Sequence, residues 1–258
     1  MSVAAEIIRA PSLALLLLEG RALWELGAYY AAGPILRRAP RGDGHPVLVM
    51  PGLAATEVST RPLRAFLRHR GYRAHDWKQG RNIGDLGLLE PLQERLHALR
   101  KQKGCKVSLI GWSLGGIYAR ELAKQSPDDV RLVITLGSPF VGDGNSNARR
   151  VYEFLSGRRS ESADDRAIRI RLRQPPPVPT TSIFTRSDGI VAWQSCIEQD
   201  TPLTENIEVS GSHSGLGHNP LALYAVADRL AQPEGQWTPF ARNGFKKLLY
   251  PDRLRRTS

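Results

Sequence analysis

The chain has 258 residues, 41% of them apolar, which suits a soluble globular protein with one large core or two small ones. Its two cysteines, Cys105 and Cys196, exclude a disulfide framework and a cysteine-based metal site, and they suit a cytoplasmic protein. The net charge of +11 is uneven: residues 145–175 hold eight arginines against four acids, and residues 241–258 hold six bases against Asp252. No recognised nucleic-acid module accompanies these stretches, so nucleic acid is not an expected partner. They read as solvated basic surface or as contacts for an anionic membrane.

Residues 1–40 form an apolar helical segment. Leu13–Leu18 is strongly apolar, but Glu19 and Arg21 end the run, which is too short to span a bilayer. Glu6 beside Arg9 and the lack of a small-residue cleavage site argue against a signal peptide. Apolar character resumes at Leu23-Trp24, Leu26 and Tyr29-Tyr30, before Gly33-Pro34 breaks it. One or two amphipathic helices are expected here, either covering the domain that follows or lying in a membrane interface.

From residue 41 to 235 the pattern alternates between strands and helices. Strands are expected at Val47–Met50, Tyr72–Trp77, Lys106–Ile110, Val130–Leu136, Thr180–Thr185 and Asn206–Val209. Helices are expected after Ser59-Thr60, with Leu63, Phe66 and Leu67 facing inward and Arg64, Arg68 and Arg70 elsewhere, then at about 85–102, at Gly116–Lys124, and from the Asn219 cap to Leu230. The strand segments are mostly apolar runs rather than strict alternations, so the expectation is α/β: a largely parallel sheet of about six strands with helices on both faces. An arginine-rich insert at 140–178 ends in the stiff run Pro175–Pro179, and residues 236–258 read as a basic tail.

One run carries chemistry. Val107–Ile110 leads directly into Gly111-Trp112-Ser113-Leu114-Gly115, which is G-x-S-x-G between a strand and a helix. A serine at that turn is presented as a nucleophile, and a side chain at either glycine, Gly111 or Gly115, crowds the turned backbone. A serine hydroxyl needs a base, and the base an orienting acid, here expected in the chain order Ser, Asp, His. Asp188 follows the strand ending at Thr185, at the functional edge of an open α/β sheet. His213, on the Gly/Ser-rich loop Gly211–Leu216, is the preferred base, with His218 the alternative or a supporting residue. His69 and His97 fall within helices and read as solvated. The oxyanion hole requires backbone N–H groups, and Leu114 and Leu53 are positioned to supply them, since Pro51 has none. No metal or organic cofactor is needed.

These segments, Pro46–Leu53, Gly111–Gly116, Leu136–Pro139, Thr185–Val191 and Gly211–Leu216, resemble the α/β-hydrolase superfamily, in particular its lipase- and esterase-like serine hydrolases. The base segment His213-Ser-Gly-Leu216 matches small lipases of that fold, and His218 does not. Two features depart from the common pattern: Met50-Pro51-Gly52 replaces the usual His-Gly pair, and no leading antiparallel strands precede Val47. The resemblance implies a Ser113–Asp188–His213 triad acting on a small-molecule carboxylic ester, with lipid-like acyl esters favoured by the apolar segments. The same triad serves acyltransferases and thioesterases, and a non-catalytic binding or membrane-associated module on this fold is the remaining alternative.

Overall fold

A computed structural model of the protein describes residues 8–141 and 171–254. Six strands form one sheet: β1 Pro46–Met50, β2 Arg73–Asp76, β3 Val107–Trp112, β4 Val130–Leu136, β5 Thr180–Phe184 and β6 Thr204–Glu208. Their order is β2-β1-β3-β4-β5-β6, and every neighbouring pair is parallel. All residues of β1, β4 and β5 are buried, as both faces of a parallel sheet must be when helices cover them.

Alternation along the strands divides the core. Val47, Val49, Ile110, Ile134 and Leu136 face one side, where they join Leu63, Phe66 and Leu67 of α4 (Arg61–His69) and the apolar face of a C-terminal helix, Pro220–Leu230. Leu48, Met50, Val107 and Leu109 face the other side. There they meet Leu92, Leu96 and Leu99 of α5 (Leu89–Lys103) and Tyr118 and Leu122 of α6 (Leu114–Gln125). The C-terminal helix, α7, starts at an Asn219 whose side chain accepts N–H bonds from Leu221 and Ala222, followed by Pro220 in the first turn.

Several boundaries differ from the sequence expectation for local reasons. β3 continues through Gly111 and Trp112 because both pair with β4, at Thr135 and Leu136. α6 therefore begins at Leu114, immediately after the turn. Thr60 occupies the N-cap position of α4, but its hydroxyl donates to Glu57 O and accepts from Arg64 Nε instead of capping. Arg64 and Arg70, expected off the apolar face, are buried. Arg64 reaches Glu57 O and Asp76, and Arg70 donates to the carbonyls of Arg37, Ala39 and Pro40, so each guanidinium replaces water with backbone acceptors.

The described part of the N-terminal segment contains three short helices, α1 (Leu13–Leu17), α2 (Ala22–Ala31) and α3 (Gly33–Leu36), with a 3-10 turn at Leu18–Arg21. No described helix is long and apolar enough to cross a membrane. Of the expected insert, residues 142–170 lie outside the described residues. Both of its flanks rest on α6: the Arg120 guanidinium lies 3.8 Å from the Phe140 ring, donates to Leu172 O and Gln174 O, and pairs with buried Glu198. The C-terminal stretch packs back on the body. Phe240 and Tyr250 are buried, Phe240 N donates to Glu205, and Lys246 pairs with Asp228 of α7. A last short helix, α8 (Lys246–Leu249), lies within it.

Candidate active site

The carboxyl ends of β3, β5 and β6 converge on one edge of the sheet. Ser113 follows β3 with φ 52° and ψ −122°, a positive φ that a non-glycine residue adopts at a cost of about 1–3 kcal/mol. The surrounding backbone over-determines it: Ser113 N donates to Leu136 O of β4 at 2.8 Å, and Ser113 O accepts from Gly116 N at 3.0 Å. The motif glycines permit close approach. A Cβ on Gly111 falls 2.3 Å from the Gly115 and Gly116 backbone, and one on Gly115 falls 2.3 Å from Met50 O. The helix can therefore start pressed against the ends of β1 and β3.

Asp188 and His213 meet on the adjacent loops. His213 Nδ1 lies 2.6 Å from Asp188 Oδ2, while Asp188 Oδ1 accepts N–H bonds from Ile190 at 2.9 Å and Val191 at 2.7 Å. Both side chains are buried. Burial pushes the imidazole down, but the Asp188 charge and hydrogen bond, with the charge of Glu19, hold it above its ordinary value. The imidazole lies over Gly137, where φ is +56° and an added Cβ falls 3.0 Å from His213 Nδ1. Trp112, the residue before the serine, donates from Nε1 to His213 O at 3.1 Å and so ties the elbow to the base loop. Among the described residues, no hydrogen bond joins Ser113 Oγ to His213, whose Nδ1 is taken by Asp188.

Across the serine, a Cβ on Gly52 would sit 3.2 Å from Ser113 Cβ, which places the 51–54 loop against Ser113. Among the described residues, neither Leu53 N nor Leu114 N donates a hydrogen bond. Asn82 fixes this loop: it is fully buried, donates from Nδ2 to Pro51 O at 2.8 Å, and exchanges backbone bonds with Ala54 and Ala55. His218 is positioned elsewhere, its Nε2 bonded to Ala22 O at 3.0 Å.

Three residues of the N-terminal segment enter this site, and none was a site candidate from sequence. Glu19, buried, accepts N–H bonds from Gly189 at 2.9 Å, His213 at 3.0 Å and Ser214 at 2.8 Å. Burial raises its pKa, but those three backbone donors outweigh it and hold the carboxyl below its ordinary value. Arg21 Nη2 reaches Ser187 O and Gly211 O, each at 2.8 Å. Glu25 accepts from Ser212 N and Ser212 Oγ. The acid loop and the base loop are thus bridged by one short stretch of chain. The available signal was the placement of two acids inside an otherwise apolar helical run.

No protein-family model and no curated protein sequence matches the chain. Its structure is similar to that of lipase B of Aspergillus fumigatus, with a TM-score of 0.56 at 18% identity over 74% of this chain and 53% of the fungal protein. It is similar to an esterase of Pyrococcus furiosus, TM-score 0.54 at 15% identity over 71% of this chain and 81% of that one. It is also similar to the monoacylglycerol lipase of Paleococcus ferrophilus, TM-score 0.53 at 15% identity over 75% and 96%. The chain has the α/β-hydrolase fold. On this α/β-hydrolase scaffold the described sheet begins with β1, without preceding antiparallel strands. The chain spans little more than half the length of the fungal lipase.

Proposed function

We propose that the protein is a serine hydrolase of carboxylic esters, with Ser113 as nucleophile, His213 as general base and acid, and Asp188 as the group that orients the imidazole. One observation carries this reading. A serine held at a strained positive φ beyond β3 shares a sheet edge with a buried Asp188–His213 pair 2.6 Å apart. With Nδ1 occupied by Asp188, Nε2 is left to take the Ser113 proton as the hydroxyl attacks the acyl carbonyl. The oxyanion develops between Leu53 N–H and Leu114 N–H, which have no other described acceptor. The imidazolium returns its proton to the leaving alcohol. Water activated by the same imidazole then attacks the acyl-enzyme, and Ser113 is restored.

The substrate class we infer is an acyl ester with a lipid-like chain. The support is the exposed apolar surface of α1 and α2, on the segment that touches the acid and base loops.

The test is labelling of the purified protein with a fluorophosphonate probe, followed by hydrolysis of an ester chain-length series. Ser113→Ala is expected to lose labelling and to reduce kcat/KM by about 10⁴-fold or more. His213→Ala is expected to lose far more activity than His218→Ala. Labelling that persists in Ser113→Ala moves the nucleophile elsewhere. Product analysis with a competing alcohol reads whether water takes the acyl group.

A further inference from the structure

The N-terminal segment turns Glu19, Arg21 and Glu25 toward the body while leaving several large apolar side chains exposed. Glu19, Arg21 and Glu25 bind the catalytic-edge loops. The segment exposes Leu13 at 76%, Leu17 at 83%, Leu23 at 79%, Trp24 at 83%, Tyr30 at 71% and Ile35 at 67%. Single exposed apolar residues are ordinary, but these six, with Leu16 and Leu18 also exposed, fall within 23 consecutive positions, a concentration of the kind that marks an interaction site.

Charge decides between occupants. Residues 8–41 contain two acids, Glu19 and Glu25, and both are turned toward the base loop. Arg9, Arg37, Arg38 and Arg41 are exposed. The segment therefore exposes apolar side chains and arginines, while both of its own carboxylates are engaged by backbone donors. A second copy docking by the same face would bring arginines together without an acid to pair them. A lipid surface with anionic headgroups satisfies both features: leucines and the aromatic rings enter the headgroup–acyl boundary, and the arginines meet phosphate. The helices suit lying on a surface and not crossing it, since α1 has 5 residues and α2 has 10.

We infer that residues 13–36 dock the protein on an anionic lipid surface, with Leu17, Leu23 and Trp24 inserted and Arg37 and Arg38 at the headgroups. Docking is independent of whether Ser113 is a nucleophile. Its consequence for catalysis rests on the proposed ester hydrolysis: Glu19 and Glu25 hold the base loop against the docked segment, so the site edge lies beside the lipid.

The experiment is sedimentation with phosphatidylcholine vesicles, with and without phosphatidylglycerol, using the full chain and its Ser113→Ala variant. Both are expected to bind the phosphatidylglycerol vesicles, more weakly as salt is raised, and to leave pure phosphatidylcholine largely unoccupied. The triple variant Leu17→Gln/Leu23→Gln/Trp24→Gln changes exposed side chains only and is expected to weaken binding about tenfold or more. Its hydrolysis of a short, water-soluble ester is expected to match the unsubstituted protein. Vesicle binding that is absent, or unchanged in the triple variant, overturns the inference. So does a dimer in solution that the triple variant dissolves, which assigns the face to a second copy. A triple variant that binds normally but loses soluble-ester hydrolysis overturns docking and leaves the proposed chemistry standing.

Discussion

Ser108 Oγ lies 2.8 Å from His45 Nε2, and His45 Nδ1 lies 2.5 Å from Asp43 Oδ1. By contact order this is a second Ser-His-Asp chain, at the opposite end of the sheet from Ser113. Its surroundings differ in every respect that chemistry requires. Ser108 is fully buried inside β3, beside a register shift against β4, whereas Ser113 sits past the strand end at a positive φ. Burial and the neighbouring Arg131 charge push the His45 imidazole down, and Arg131 also takes Asp43 at 2.7 Å, so the cluster is a polar tie, open to solvent at Asp43, between the approach to β1 and strands β3 and β4. Ser108→Ala is accordingly expected to leave fluorophosphonate labelling intact, checked beside Ser113→Ala on the same gel. In the proposed mechanism His213 must be neutral to accept the Ser113 proton. Because His213 is held above the ordinary imidazole value of 6.5, kcat/KM is expected to rise with pH through a midpoint above 6.5. Glu19 contributes to that elevation, so Glu19→Gln is expected to move the acid limb to lower pH. A limb that stays in place in Glu19→Gln leaves Glu19 with a purely structural part.

Elements were legible where their cause was local. The parallel sheet could be read because β1, β3 and β4 are short, mostly apolar runs separated by helical periodicity, and the described topology has six parallel strands. The α7 start could be read from Asn219-Pro220, a cap followed by a residue with no N–H to lose. Ends set by partners were not legible: Gly111 and Trp112 extend β3 because β4 happens to reach Thr135 and Leu136 beside them. Arg64 and Arg70 were invisible for the same reason, because their acceptors are carbonyls that every residue carries. The same limit applies at the site. Ser113, Asp188 and His213 carry side-chain chemistry in a recognisable order, so sequence can nominate them. Glu19 meets only backbone N–H groups, and Asn82 holds the 51–55 loop mostly through backbone, so neither leaves a pattern at any fixed spacing.

At the scale of the whole molecule, the N-terminal segment is joined to the sheet edge by three charged side chains, Glu19, Arg21 and Glu25, of which Glu19 has the most buried setting. Its carboxylate replaces water with three backbone donors from two loops separated by 20 residues or more in sequence, so it contributes to stability only while charged. The sign follows from its lowered pKa. That stability is fully present above the unfolded value near 4.5 and is lost as pH falls through the lower folded value. Glu19→Gln keeps the shape but loses the charge and turns one acceptor oxygen into a donor facing other donors. It is expected to cost about 1.5–3 kcal/mol at neutral pH, the range for hydrogen bonds to a charged group. In a chain of this size that corresponds to a fall in Tm of roughly 3–12 °C. The decisive measurement is the difference in Tm between the unsubstituted protein and Glu19→Gln across pH. It is expected to be largest near neutrality and to shrink below about pH 4.5, as protonation makes the native side chain resemble its amide. A difference that stays constant through acid would mean that the three contacts stabilise by packing, and that the segment is held by Arg21, Glu25 and the apolar contacts of Tyr29 and Leu36 instead.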